Sequence, residues 1–99
     1  MILVRDNFNL KFGKAKEAKE LLKEGTEIAK KFGFGQRRAL TDLTGASYRL
    51  VLESEFNSLS DWENAMKSGL GSTEWQQWYQ KFMPLIDSAS REIMNIVNP

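Results

Sequence analysis

The most constraining feature of this sequence is a strand pattern that leads directly into a tryptophan-bearing helix, within residues 47–66. In residues 47–56, apolar and charged side chains alternate, which is typical of a strand with one buried face. The apolar set consists of Tyr48, Leu50, Leu52 and Phe56. After a short turn, Ser60 and Glu63 have the spacing of a capping box that starts a helix carrying Trp62. The rest of the chain has to fold around this strand and helix.

The remaining segments predict further strands and helices on both sides of this unit. Strands should alternate with period two, whereas helices repeat apolar residues every three or four positions. The predicted elements, in chain order, lie at residues 2–10, 14–32, 37–44, 47–56, 60–67, 72–83 and 91–97. Gly33 is suited to end the first helix, Ser72 to cap the third, and Pro84 to stop it. Gly45-Ala46 should connect two strands as an antiparallel hairpin.

This order of elements, β-α-β-β-α-β with the second helix in two pieces, predicts an α+β fold of the ferredoxin-like type. Such a fold has one four-stranded antiparallel sheet with its helices on one face. A chain of 99 residues suffices for one modest core. We therefore expect a single domain over residues 1–99.

Composition excludes several classes of function. The chain has 14 basic and 13 acidic residues, and this balance gives no general attraction to nucleic acid or to an anionic membrane. Without cysteine there is no disulfide and no thiolate, and without histidine the commonest general base and metal ligand are missing. We predict neither a metal nor a cofactor. No apolar run reaches membrane-spanning length, and charges at Arg5-Asp6 follow the apolar start too soon for a signal peptide, so we expect a cytoplasmic protein.

Two helices can cover only one face of the sheet, and the other face has mixed chemistry. Its predicted members are Leu3, Arg5, Asn7, Asn9, Arg49, Val51, Glu53 and Glu55. Opposite charges there can pair across strands. The face is either exposed to solvent or forms the interface of a homodimer about a two-fold axis, and periodicity does not separate these interpretations.

Several short segments carry a resemblance to a known superfamily. Phe12-Gly13-Lys14-Ala15 enters the first helix, Leu59-Ser60-Asp61-Trp62 enters the second, and Trp75 and Trp78 follow late in the chain. With the strand at residues 48–56, this pattern resembles the dimeric α+β-barrel superfamily, which includes the antibiotic-biosynthesis-monooxygenase-like, haem-degrading and NIPSNAP families. The resemblance implies a homodimer whose two sheets pack face to face. It also implies a ligand cavity between each sheet and its own helices.

Asp6 is the most unusual candidate for a functional residue. Strand alternation places it among apolar residues on the helix-covered face, where a lone carboxylate is costly unless it is hydrogen-bonded. It is a polar anchor or general base in a cavity, or it is a hydrogen-bonded structural residue, or a bulge turns it outward. Arg37-Arg38 is either an anion-binding pair or part of an exposed hairpin edge.

The resemblance also suggests a function. Its haem-degrading members use an asparagine on the first strand, a tryptophan on the second helix and a histidine as iron ligand. Trp62 matches the tryptophan and Asp6-Asn7 lies near the asparagine, but the absence of histidine excludes a histidine-ligated haem site. Cofactor-free oxygenation of an activated aromatic substrate stays compatible with the residues present.

Two functional hypotheses follow. In the first, a small apolar or aromatic molecule binds between sheet and helices, and the protein is a candidate cofactor-independent monooxygenase. Its predicted catalytic residues are Asp6 and Trp62. Its predicted ligand-binding residues are Asn7, Phe8, Tyr48, Trp62, Trp75 and Trp78. In the alternative, the chain is a non-catalytic dimerisation or interaction domain whose tryptophans only fill the core. A pocket of a few hundred Å³ beside Trp62 would favour the first hypothesis.

Overall fold

The computed structural model describes residues 1–34, 37–45 and 48–97. Over these residues the order of strands and helices agrees with the prediction. The elements are β1 (Ile2–Leu10), α1 (Ala15–Lys30), β2 (Arg37–Thr41), β3 (Arg49–Phe56), α2 (Leu59–Leu70), α3 (Thr73–Phe82), a 3₁₀ turn (Met83–Leu85) and β4 (Ile86–Asn95). None of the helices in the described ranges has both the length and the apolarity that crossing a membrane requires.

The four strands form one antiparallel sheet in the order β2-β3-β1-β4. Strand β1 lies in the centre, between β3 and β4. The register places Asp6 of β1 opposite Leu52 of β3 on one side and opposite Arg91 of β4 on the other. This arrangement confirms the predicted ferredoxin-like sheet and brings three separate parts of the chain together around Asp6.

The core lies between one face of this sheet and the helices. Alternate residues of β1 and β3 point to that face, because successive side chains of a strand point to opposite sides. Leu50 from the sheet and Phe82 from α3 are its largest fully enclosed side chains. The main cluster consists of Leu10, Ala18, Ile28, Leu50, Leu52, Trp78, Phe82 and Leu85. A second cluster packs Ala65 of α2 against Val4 and Phe56, so all three helices cover the same face, as predicted.

The predicted boundaries of three strands were wrong. Strand β4 starts at Ile86 and ends at Asn95, where the sequence predicted residues 91–97. Its first half has little apolar alternation, but pairing with β1 determines the strand, and Asn9 Nδ2 donates to Ser88 Oγ across it at 2.8 Å. Strand β2 ends at Thr41, and β3 begins at Arg49. The predicted turn residue Ala46 and the predicted first strand residue Ser47 lie outside the described residues.

The start of α2 also differs from its prediction. The capping residue is Ser58, whose Oγ accepts a hydrogen bond from the Asp61 amide at 3.2 Å, so the proposed box at Ser60 is not used. The helix continues to Leu70, three residues past the predicted end. Ser72 does cap α3, with its Oγ accepting from the Trp75 amide at 3.1 Å.

Candidate functional site

A cavity of about 290 Å³ lies between the sheet and helix α3. Aromatic side chains are the largest group in its wall: Phe8, Phe34, Trp75, Trp78, Tyr79 and Phe82. Three charged side chains reach the same space: Asp6, Arg37 and Arg91. A groove of about 520 Å³ beside Phe32 and Asp61 is larger but more open, and no arginine lines it. The smaller cavity therefore combines an apolar wall with converging charge, which is usual for a small-molecule site.

Helix α3 builds the aromatic wall because its four large rings repeat at helical spacing. Residues 75, 78, 79 and 82 fall on one side of a helix with 3.6 residues per turn. The rings of Trp78 and Phe82 stack with centroids 4.7 Å apart, and those of Trp75 and Trp78 are 5.1 Å apart. Trp78 Nε1 donates to the Leu21 carbonyl of α1 at 2.8 Å, which holds the wall in place.

Asp6 is a paired carboxylate at this cavity. Its Oδ1 accepts a hydrogen bond from Arg91 Nε at 2.6 Å, across adjacent strands. The Asp6 side chain keeps 22% of its surface exposed, so it is not sealed in the core. The Arg91 guanidinium also lies over the ring of Trp62, 5.3 Å from its centroid. Asp6 pairs in continuous register with both neighbouring strands and lines the cavity, so the interpretation that a bulge turns it outward is wrong.

Arg37 contributes a second guanidinium to the cavity. It lies over the ring of Phe34, 5.4 Å from the centroid, and Asp6 acts on it through its charge. Its Nε atom is buried, and no hydrogen-bond acceptor serves it among the described residues. Burial lowers the pKa of Arg37, while the negative charge of Asp6 raises it and only partly compensates. Arg38 projects from the other face of β2 and is exposed, so the two arginines have different environments.

The structure brings four of the predicted site residues together. Asp6, Phe8, Trp75 and Trp78 all line the cavity. Trp62 is outside its wall and touches Arg91, which does line it.

The other two predicted ligand-binding residues, Asn7 and Tyr48, do not line the cavity. Strand alternation predicted Asn7 on the face without helices, and it lies there, whereas the position predicted for Tyr48 was wrong. Asn7 points to the opposite face of the sheet, where its Nδ2 donates to Glu92 Oε1 at 3.0 Å. Tyr48 precedes β3 with a positive φ of 56°, so strand alternation does not apply to it. The residue is 37% exposed, and its ring lies against that of Phe12, with centroids 5.1 Å apart. Neither side chain reaches the cavity.

Sequence reasoning missed Arg91, Phe34, Tyr79 and Phe82, and it left Arg37 undecided. The helical spacing of α3 could have added Tyr79 and Phe82 to Trp75 and Trp78. Strand parity in β2 could have separated Arg37 from Arg38. Arg91 stood at the start of the predicted last strand, but its position opposite Asp6 follows only from the register of β4 against β1. Within the described ranges, no group of three or more acidic, histidine or cysteine side chains is arranged to hold a metal ion.

The open face of the sheet, defined as the face without helices, carries a second charged cluster. Glu53 is only 4% exposed, and Arg5 Nη2 contacts its Oε2 at 2.8 Å. Arg38 bonds to the other carboxylate oxygen. The hydrogen bonds from Arg38 and then Arg5 lower the pKa of Glu53, although burial acts in the opposite direction. Here the charges pair across strands within one chain.

Comparison with known proteins shows the fold. No protein-family profile matches the chain, and no curated protein sequence matches it. It is similar to a NIPSNAP domain protein from Burkholderia xenovorans, with a TM-score of 0.91 and 15% identity over 98% of this chain and 95% of that one. It is similar to a NIPSNAP family protein of unknown function from Agrobacterium tumefaciens, with a TM-score of 0.85 and 25% identity over 95% of this chain and 86% of that one.

A further similarity is to a cofactor-independent oxygenase from Streptomyces nogalater, with a TM-score of 0.77 and 10% identity over 99% of this chain and 94% of that one. The fold is thus the α+β fold shared by NIPSNAP-family structures and antibiotic-biosynthesis-monooxygenase structures. The resemblance predicted from the sequence, to the dimeric α+β-barrel superfamily, is confirmed at the level of the fold.

Proposed function

We propose that this protein binds a small, largely apolar or aromatic molecule in the cavity between its sheet and its helices. The observation that carries the proposal is the aromatic wall of α3 facing a floor with Asp6. The volume of about 290 Å³ lies near the lower end of ligand pockets, which span about 300–1,000 Å³, so a molecule of one or two rings is the expected size. Trp75 and Trp78 supply stacking surfaces. Asp6 accepts a hydrogen bond or a proton, and Trp62 acts through Arg91.

Cofactor-independent oxygenation is the reaction to test in this cavity. The support is the aromatic enclosure, the carboxylate, and a fold shared with an oxygenase of this kind. A suitable substrate has an activated methylene beside an aromatic ring and supplies all the electrons itself. Asp6 takes a proton from that carbon, and O₂ then attacks it. The methylene loses two hydrogens and becomes a carbonyl, with one oxygen atom entering the product and the other leaving as water.

The open face of the sheet is the proposed homodimer interface. Leu40 and Met94 expose 40% and 37% of their surface there, beside the Arg5, Arg38 and Glu53 cluster. Such a mixture of apolar and paired charged groups complements a second copy of itself about a two-fold axis. Sedimentation at micromolar concentration tests this, and a clean monomer of 11.4 kDa would contradict it. A single domain over residues 1–99 and a cytoplasmic location stay predictions.

The binding proposal is tested by blocking the cavity. Ala89 lines it on β4, so Ala89→Phe fills the space, whereas Gln80→Phe adds the same ring at an exposed position of α3 outside the cavity wall. Calorimetric titration with neutral one- and two-ring aromatic compounds should show binding to the wild type and to Gln80→Phe. Binding should be lost in Ala89→Phe. If no compound binds the wild type, or Ala89→Phe binds equally well, the non-catalytic interaction domain becomes the better interpretation.

A further inference from the structure

The charges that line the cavity are unbalanced. Two guanidinium groups, Arg37 and Arg91, face one carboxylate, Asp6, so the described lining residues carry a net charge of +1. Asp6 is already engaged by Arg91 through the 2.6 Å hydrogen bond. The unmatched cation is therefore Arg37. Charges in apolar surroundings are normally paired, because an unpaired one loses its hydration without replacement.

Arg37 has the local geometry of an anion-binding group. Its Nε is buried without an acceptor among the described residues, and the Phe34 ring under its guanidinium offers a ring face rather than a hydrogen-bond acceptor. Arg37 lies on β2, and the indole rings of Trp75 and Trp78 lie on α3 above the sheet. A ligand can thus meet the guanidinium at one end and the aromatic wall along its body.

We propose that the cavity selects an aromatic monocarboxylate, whose carboxylate binds Arg37 and whose ring lies against Trp75 and Trp78. This inference rests on the proposed binding function and specifies its ligand class. A single negative charge on the ligand balances the net charge of the cavity. A planar carboxylate also matches the fork of N–H donors on a guanidinium, with Nε as one member of the pair. A phosphate dianion would overbalance the net charge of +1, and its oxygens are arranged tetrahedrally rather than in a plane.

The experiment compares two ligands that differ only in charge at one end. 2-Naphthoate carries a carboxylate at neutral pH, and 2-naphthamide has nearly the same shape without the charge. Calorimetric titration at pH 7 should show that the wild type binds the acid at least about tenfold more tightly, the value of one charge-assisted hydrogen-bonded contact. Arg37→Gln should bind both ligands about equally. Arg37→Lys keeps the charge but loses the fork, so its preference should fall between these two.

A matched control removes a positive charge elsewhere. Lys81→Gln changes an exposed lysine on α3 that pairs with Glu24 outside the cavity, and it should keep the full preference for the acid. If the wild type binds acid and amide equally, the inference fails while the binding function stands. If Lys81→Gln loses the preference as fully as Arg37→Gln, a general surface-charge effect replaces the Arg37 site. If neither naphthalene ligand binds although neutral one-ring compounds do, the proposed ligand class is wrong and the proposal that the cavity binds a small molecule stands. If no aromatic compound binds, the proposed function fails as well.

Discussion

The close approach of α1 to Trp78 predicts an unusual result for a glycine-to-alanine substitution. Gly25 lies inside α1, where alanine normally stabilises a helix by about 1 kcal/mol. A Cβ built on Gly25 would lie 2.6 Å from Cζ2 and 2.7 Å from Cε2 of Trp78. The indole has little freedom to move away, because it is 4% exposed, stacks on Phe82 and donates to the Leu21 carbonyl. Gly25→Ala should therefore destabilise the protein.

The expected magnitude is a difference between opposing effects. Overpacking in a core costs about 1–3 kcal/mol, and weakening the indole hydrogen bond adds about 1 kcal/mol. The gain in helix propensity offsets about 1 kcal/mol of this. The net loss should be about 2 kcal/mol, which lowers the melting temperature of a domain of this size by roughly 10 °C. Since Trp78 lines the cavity, ligand affinity should fall as well.

Gly69 in α2 supplies the matched control. A Cβ there would meet only the Phe32 Cβ at 3.9 Å, an ordinary contact. Gly69→Ala should be neutral or stabilising by up to about 1 kcal/mol. Thermal and urea denaturation should show a lower stability for Gly25→Ala and an equal or higher stability for Gly69→Ala. In a Trp78→Phe background, the smaller ring should make Gly25→Ala much less destabilising. Two results would refute the reasoning: stabilisation of the wild type by Gly25→Ala, or an equal loss of stability in the Trp78→Phe background.

Two further predictions concern the two charged clusters. Asp6→Asn removes a partly exposed ion pair, so it should reduce stability by about 1 kcal/mol in thermal melts at pH 7. The same substitution leaves the cavity more positive and should strengthen 2-naphthoate binding. Weaker binding would contradict the charge argument. The arginine partners lower the pKa of Glu53, so their stabilisation is complete above its ordinary value of about 4.3 and is lost as the pH falls through the lowered pKa. The advantage of the wild type over Glu53→Gln should thus shrink between pH 6 and pH 3 in melts at constant protein concentration, and an advantage that grows on acidification would show the opposite sign.

The sequence predicted elements that depend on local periodicity better than elements that depend on contacts between residues far apart in the chain. The strand at residues 49–56 and helix α1 follow from local periodicity, and both were found. Strand β4 was misplaced because its first half becomes a strand through pairing with β1, a contact between residues more than 75 positions apart. Arg91 was inside the predicted strand, but the register that places it opposite Asp6 was not predicted, so Asp6 was interpreted as a lone buried carboxylate. Tyr48 was misassigned because a positive φ breaks the alternation that placed it.

Strand β1 contributes one residue to each of the two charged clusters, which lie on opposite faces of the sheet. Asp6 reaches the cavity, and Arg5, one residue earlier, bonds to Glu53 on the open face. A register slip of one residue would exchange the two faces, but β1 is hydrogen-bonded along both edges, which fixes the register. Ligand binding and self-association should therefore be separable. Leu40→Glu on the open face should weaken association in sedimentation experiments and leave 2-naphthoate affinity unchanged. Arg37→Gln should weaken 2-naphthoate binding and leave association unchanged. A parallel loss of both properties in either variant would show that the cavity is completed only in the dimer.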